Sequence, residues 1–296
     1  MMSSVAEASP ITPDRQRLVL LRALLAAPFT RVALILVAGF LVTAIFAPWL
    51  APYSPVKIDV LHKLQPPSAE HWFGTDHLGR DLLSRVIYGA RTALTIAMVS
   101  VAIAGAIGLL LGLIAGYGPR WLDAILVLAF DSMNSLPMIM FALAIITVLG
   151  AGTGTLIIVI AATSFPSYAR LIRAQTLALK NSDYILAERL LDASAARIIF
   201  IHLLPNVVGP LIILLSMDIP VVIMVEAGLS FLGLGVRPPT PSWGSILYDG
   251  YTSIRSAPFM VIFGGLPLVL ATLGFTFLGE GLRDYLDPRL QLRRPA

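Results

Sequence analysis

The sequence predicts an all-α membrane protein with six transmembrane helices and both termini in the cytoplasm. Three observations carry that expectation. The 296-residue chain is 57% hydrophobic and only 13% charged, with a mean hydropathy of +0.85, well outside the composition of soluble domains. Its apolar runs reach about 20 residues, the length a bilayer requires, where a buried core helix stops nearer about 14. Its basic residues gather at the ends of those runs, more on one side than on the other, as the charge rule for cytoplasmic loops requires.

Residues 1–30 read as a cytoplasmic tail. "MMSSVAEASPITPD" is small and polar and is expected to be disordered. "RQRLVLLRALLAAPFTR" mixes Arg15, Arg17, Arg22 and Arg31 with leucines, a pattern that suits the membrane surface. This charged lead is too long for an ordinary signal peptide, so the next run reads as an anchor. Spans are expected near 32–51, 92–117, 122–149, 153–178, 205–227 and 258–280. They form a transmembrane domain, 31–280, with an outer segment at 52–91, a cytoplasmic segment at 179–204 and an outer loop at 228–257. A cytoplasmic tail, 281–296, follows. With the N-terminus inside, the outer face holds Lys57, Lys63, Arg80, Arg85, Arg91, Arg237 and Arg255, seven of the 21 basic residues, and the inner face holds the other 14. That bias sets the orientation.

Several function classes are excluded by what the sequence lacks. There is no cysteine, hence no disulfide, thiolate metal site or cysteine nucleophile. No Gly-x-x-x-x-Gly-Lys-Ser/Thr loop occurs, and Lys57, Lys63 and Lys180 never follow a glycine, so the chain is no P-loop ATPase. No His-Glu-x-x-His motif marks a zinc protease. The pI of about 9.6 follows from the charge rule and does not call for nucleic acid. His62, His71, His77 and His202 all lie outside the expected spans, which disfavours metal passage.

One polar segment stands out between two greasy runs: "DYILAERLLDASAARIIFIHLLPN", residues 183–206. Ile185, Leu186 and Leu190 occupy neighbouring helical positions. Asp192 and Ser194 interrupt, and either can N-cap a second helix beginning near Ala195. Pro205 marks the entry into the next span. Two uses are open: an amphipathic anchor on the membrane surface, or a short helix that docks into a partner's groove.

The spacing resembles the EAA loop of type I ABC importer permeases, with Leu186, Ala187, Glu188, Asp192, Ile198, Leu204 and Pro205 at the matching positions. "HWFGTDHLGRDLLSRVIYGARTAL" (71–94) and "EAGLSFLGLGVRPPTPSWGSIL" (226–247) resemble the C-type permease of dipeptide and oligopeptide ABC transporters. The resemblance covers nearly the whole chain after about residue 25. It implies a type I ABC importer permease fold in a bacterial cytoplasmic (inner) membrane, a homologous second permease subunit, two cytoplasmic ATPase domains and an extracytoplasmic peptide-binding protein. The chain itself would bind no nucleotide; ATP and Mg would sit in the ATPase subunits. It also implies that Tyr184, Ile185, Leu186, Ala187, Glu188, Arg189, Leu190, Leu191, Asp192, Ala193, Ser194 and Arg197 dock the ATPase. Two departures matter. The family's leading Glu falls on Leu186, with the acid two positions later at Glu188, about 200° round a helix. The family's Gly falls on Asp192, a residue that tolerates left-handed backbone better than most. Nickel, haem or another solute is the alternative cargo within the family, and a proton-coupled secondary carrier is the alternative outside it.

In residues 76–91, Asp76 with Arg80 and Asp81 with Arg85 stand at helical spacing, and Leu82 and Val86 mark an opposite apolar face. An outer amphipathic helix follows, bracing the bundle or meeting the binding protein through Asp81 and Arg85. The 232–257 loop, with Pro238, Pro239, Trp243, Tyr248 and Tyr251, serves either as an aromatic belt or, by the resemblance, as a binding-protein surface through Arg237 and Trp243. Asp131, Asp218 and Glu226 lie in or near spans, where ionisable groups are costly and functional by default. Asp131 sits beside Ser132, Asn134 and Ser135, so a polar network and a pathway lining are both open. Asp123 and Asp131 flank Leu128, where the family commonly has an Arg, leaving no local counter-ion. Glycines at 105, 108, 112 and 116 mark close helix packing, within the subunit or against a partner.

Overall fold

The computed structural model describes residues 28–286; the expectations for the N-terminal tail up to residue 27 and for 287–296 lie outside them. Among the described residues the regular elements are helical: α1 (Pro28–Ile45), α2 (Ala47–Leu50), a 3₁₀ turn (Val60–His62), α3 (Leu82–Tyr117), α4 (Arg120–Asn134), α5 (Met138–Leu149), α6 (Thr153–Lys180), α7 (Asp183–Leu190), α8 (Ala195–Arg197), a π-helical stretch (Ile198–Leu203), α9 (Leu204–Phe231), α10 (Trp243–Thr252) and α11 (Phe259–Leu286).

Four helices are long and apolar enough to cross a membrane: α3, α6, the continuous rod Ala195–Phe231 that contains α9, and α11. The expected single span at 122–149 is instead two helices, α4 and α5, bent by 90°. The break falls at Ser135-Leu136-Pro137, where the proline ring pushes the residue before it out of helical backbone. The shorter apolar α1 completes the six apolar segments read from the sequence.

α3 is the hub. It packs against α6, α9, α1, α4, α10 and α11. Its 36 residues make a rod of about 54 Å, longer than a hydrocarbon core of about 30 Å. Its glycine stripe is used within the subunit. A Cβ on Gly108 would lie 2.6 Å from Tyr168 Cβ, on Gly112 2.6 Å from Ile172 Cβ, and on Gly116 2.6 Å from Thr176 Cβ. α6 therefore lies against the backbone of α3, as small-residue stripes permit. Gly105 faces Leu215 of α9 in the same way.

The outer segment corrects the helix expected over 76–91. The helix begins only at Leu82, and Asp81 is its N-cap, accepting from Ser84 N at 2.7 Å. Residues 74–81 form a tight turn closed by a Thr75–Asp81 bridge, with left-handed backbone at Gly74 and Gly79 that glycine adopts without a Cβ penalty. The loop after α9 also contains a helix, α10, that the sequence reading did not place. α10 starts in a reciprocal cap in which Ser242 and Ser245 side chains each accept the other's backbone N–H at 3.2 Å. Trp243, expected in an aromatic belt, is fully buried. Its indole donates to Val86 O at 3.0 Å, and the ring lies where a Cβ on Gly89 would stand 2.6 Å away. Tyr248 and Tyr251 remain exposed.

Candidate functional site: the segment after α6 and a carboxylate between helices

The segment after α6 is built from two locks and a presented face. Ile185 is the inward lock. It is fully buried in one cluster with Tyr168, Ile172, Ile198 and Leu203, so within the docking set it is an anchor and does not offer itself to a partner. The turn after α7 is the second lock. Asp192 N–H donates to Arg189 O and Ala193 N–H to Glu188 O, both at 3.1 Å. That pair of bonds is a Schellman motif, which needs left-handed backbone at its turning residue, and Asp192 has φ +56°. The residue standing at the family's glycine position thus takes the conformation for which glycine is usually chosen. Of the two caps expected from the sequence, Ser194 is the one formed, accepting from Arg197 N at 3.3 Å.

The presented face is apolar. Leu190 and Leu191 are 87% and 79% exposed, with Leu186 and Tyr184 both at 44%. Leu186 and Leu190 are four residues apart and share one side of α7. Ala187, Arg189, Asp192, Ser194 and Arg197 are exposed around them, and Ala193 is half-buried. Glu188 turns away, toward the root of the next helix: its carboxylate lies 3.4 Å from His202 Nε2 and 3.9 Å from Arg197 Nε.

Two cations tie this segment to the hub. Lys180 Nζ donates to the α3 carbonyls of Tyr117 at 2.9 Å and Gly116 at 3.3 Å, satisfying carbonyls a helix end leaves free. Lys180 and Arg189 also stand over the Tyr117 ring, 5.5 and 5.6 Å from its centroid.

The acids of the spans sort into three environments. Asp131 does have a counter-ion, from another helix: Arg170 of α6 lies 3.5 Å away, both side chains being about half exposed. Asp123 is held more firmly, accepting from Arg173 Nε at 2.5 Å and from Nη2 at 2.7 Å. Glu226 is fully buried and hydrogen-bonded. Ser230 Oγ donates to its Oε1 at 2.7 Å and accepts from Val236 N at 3.2 Å, which fixes the chain as it leaves α9. Asp218 accepts from the Tyr168 hydroxyl at 2.6 Å and, with Asn134, lines a cavity of about 170 Å³.

Three of the four residues expected to meet a binding protein are away from the surface. Asp81, Arg85 and Trp243 are buried, and only Arg237 is exposed. Asp81 caps α3 and accepts His71 Nδ1 at 2.8 Å, so its expected pairing with Arg85 does not form. Arg85 instead joins Asp76 at 3.3 Å and Asp249 of α10 at 3.6 Å. Arg80 makes the expected bond to Asp76 at 2.6 Å and reaches Asp249 at 3.6 Å. His77 also approaches Asp249 at 3.6 Å. Asp76, His77 and Asp249 are near enough to one another to hold a cation, but two guanidiniums already occupy those carboxylates, and their charge opposes one. Burial raises the Asp249 carboxyl above the usual carboxylate value, against the pull of His77, Arg85 and Arg80.

Comparison with known proteins places this geometry. Residues 108–292 match the family described as binding-protein-dependent transport system inner membrane component. The chain belongs to that family. Residues 19–67 match the N-terminal transmembrane domain of oligopeptide transport permease C. The permease is 42% identical over 260 residues to the dipeptide transport system permease protein DppC of Alkalihalophilus pseudofirmus, covering 88% of this chain and 86% of that one. It is 43% identical to the di/tripeptide transport system permease protein DppC of Pseudomonas aeruginosa, covering 84% of each. It is 42% identical to the glutathione transport system permease protein GsiD of Escherichia coli, covering 88% and 86%. A solved chain of the MetNI methionine ABC transporter in an inward-facing conformation shares the fold, with a TM-score of 0.53 and 20% identity over 69% of this chain and 96% of that one. The permease is thus a multi-pass protein of the bacterial inner membrane with the type I ABC importer permease fold, in a family that works with ATPases and binding proteins.

Sequence reasoning missed the long-range pairs, Asp123–Arg173 and Tyr168–Asp218, each 50 residues apart. The signal available was the number of acids in or near the spans, each of which needs a partner there. Their spacing along the chain does not say which.

Proposed function

We propose that this permease forms half of the translocation pathway of an ATP-driven peptide importer and docks an ATPase through residues 183–206. Both termini and this segment lie in the cytoplasm in this reading, as the distribution of basic residues favours. A homologous second permease completes the pathway, two cytoplasmic ATPase domains bind ATP and Mg, and an extracytoplasmic binding protein delivers the peptide. The chain contributes no catalysis of its own. The peptide class is supported by relatives named for dipeptides, di- and tripeptides and glutathione.

One observation carries the docking reading: two adjacent leucines, 87% and 79% exposed, stand at the end of a short helix that is locked on both sides. A surface anchor needs only an apolar stripe; a force-bearing contact needs its knobs held rigid. Closure of the ATPases on ATP would drive α7, and the bundle would exchange inward-facing for outward-facing access.

The test is Leu190→Ala combined with Leu191→Ala. Truncating a packed leucine costs about 2–5 kcal/mol, so the double variant is expected to release the ATPase or uncouple its turnover from uptake, while the permease still inserts. Arg197→Ala is expected to do less, because exposed ion pairs contribute about 0–1 kcal/mol. Pull-down of the ATPase, its stimulated hydrolysis, and peptide uptake in proteoliposomes with the binding protein are measured together. Wild-type docking and transport in the leucine variant would make the segment a simple anchor. Orientation is read from single cysteines: one at Ser194 should be shielded from an impermeant thiol reagent in intact cells, and one at the exposed Thr240 should react.

A further inference from the structure

We propose that Asp218 receives the α-ammonium group of a peptide in transit, an inference that rests on the peptide-importer reading above. The observation is a carboxyl group held by a hydrogen bond and, among the described residues, paired with no cation. α6 and α9 meet where Tyr168 gives its hydroxyl proton to Asp218 Oδ2 at 2.6 Å. Tyr168 is fully buried, and its hydroxyl is engaged in turn by Ser164, so the acceptor is fixed in direction. Among the described residues no cation pairs with Asp218. The two guanidiniums of α6 turn elsewhere, Arg170 to Asp131 and Arg173 to Asp123. A carboxylate inside a span without a counter-ion is costly and calls for a visiting positive charge.

The space in front of it fits the end of a peptide. Asp218 lines a cavity of about 170 Å³ together with Asn134, Thr163 and Ser164 as the other polar members. At about 30 Å³ per water, that space holds some five to six waters' worth of matter. This is too little for a dipeptide and enough for its amino end. The rest of the wall is apolar, with Met133 and Met138 prominent, and methionine walls adapt to differing shapes. A carrier indifferent to side chains can grip only what peptides share. The ammonium is the shared group that makes a charge-assisted hydrogen bond to a carboxylate.

Thr163→Cys provides a reporter. The chain has no cysteine, and the Thr163 hydroxyl bonds only to Val159 O and Ile160 O of its own helix, both at 3.0 Å. In the assembled transporter in nanodiscs, without binding protein, alkylation of this cysteine by N-ethylmaleimide is followed by mass. Dialanine and alaninamide, which carry the ammonium, should each slow alkylation about tenfold at ten times their half-protecting concentration. Propionyl-alanine, which replaces the ammonium by hydrogen, should not slow it. Asp218→Asn should abolish protection while leaving alkylation itself intact, and Tyr168→Phe should weaken protection part-way. The proposal is overturned if the cysteine is unreactive, if propionyl-alanine protects equally, or if protection survives Asp218→Asn. It is also overturned if dialanine gives no protection and Asp218→Asn releases the second permease subunit, which would assign the carboxylate to a cation of that subunit. Dialanine uptake by the wild-type transporter with its binding protein is measured in parallel. Absent uptake defeats the peptide reading, whereas uptake without Asp218-dependent protection defeats this inference alone.

Discussion

Replacing Asp192 by valine strikes the turn that aims the exposed leucines. Left-handed backbone costs an L-residue about 1–2 kcal/mol, less for Asp, and a β-branched residue there is a true outlier. At φ +56° the valine variant therefore loses at least about 1 kcal/mol relative to Asp192. The turn is held by two backbone hydrogen bonds, Asp192 N–H to Arg189 O and Ala193 N–H to Glu188 O, worth about 0.5–1.5 kcal/mol each. The penalty is comparable to one whole bond, enough to raise the open population at least about fivefold. Amide hydrogen exchange at positions 192 and 193 should accelerate by that factor, with ATPase pull-down weakening in step and the exchange of α3 unchanged. Asp192→Gly moves the other way. It removes the Cβ strain and restores the residue usual in the family, so exchange at both amides should be unchanged or slower and docking should be retained. Equal exchange in the valine variant and the parent would show that the left-handed turn does not set the geometry of this segment.

Gly112→Val should separate α3 from α6, because a Cβ there already falls 2.6 Å from Ala169 O and Ile172 Cβ; overpacking costs about 1–3 kcal/mol, read as a lower melting temperature of the detergent-solubilised subunit. Arg85→Met leaves Asp76 and Asp249 short of one buried cation, and removing one partner of a buried pair costs about 3–5 kcal/mol, read as loss of α10 protection in hydrogen exchange. The Asp249 carboxyl is raised by burial, so the folded state binds its proton at higher pH than the unfolded state does. Stability should accordingly fall as pH rises through the window just above the usual carboxylate value, and Asp249→Asn should flatten that slope in thermal melts taken as a function of pH. Asp131→Asn should reduce transport modestly and leave its pH profile in place, since Asp131 and Arg170 are about half exposed and such pairs contribute little; Asp123→Asn, which breaks a two-bond contact with Arg173, should lower stability more.

The apolar segments and the turn at Asp192 were legible because local chemistry sets them. Run length identifies the spans, the residues at 192 and 194 announce a turn and a cap, and the glycines at 108, 112 and 116 announce a close neighbour. What the sequence hid is which partner each charge takes. Asp81 and Arg85 sit at helical spacing, yet Asp81 lies just before the helix and serves as its cap, so its carboxylate faces Ser84 and His71, while Arg85 turns to Asp249 more than 160 residues away. Composition likewise read Trp243 as an interfacial aromatic. Its burial depends on Gly89, which leaves a slot that only the folded arrangement brings opposite the indole. The bend at Leu136-Pro137 was visible as a proline but not as a 90° turn, because a proline within a span is tolerated as often as it breaks one.

The packing also decides which parts of the bundle move together. Tyr168, Ile172, Thr176 and Lys180 stand four residues apart on α6, along one face. The first three meet Gly108, Gly112 and Gly116 of α3 in turn, and Lys180 closes onto the last carbonyls of the same helix. Interfaces this close do not deform continuously, so α3 and α6 act as one body. Ile185 is buried in the same cluster as Tyr168 and Ile172, which joins α7 to that body without a compliant linker. A displacement of α7 is therefore carried up α6 to Tyr168, whose hydroxyl holds Asp218 of α9. The helix breaks near the cavity are the 90° bend between α4 and α5, whose flanking residues Asn134, Leu136 and Met138 line it, and Pro220, two residues beyond Asp218 within α9. A displacement of α7 would thus change the wall facing Asp218 while the Tyr168–Asp218 contact stays closed, and the ammonium group proposed to bind that carboxylate would be released by loss of its surroundings and not by loss of its charge partner.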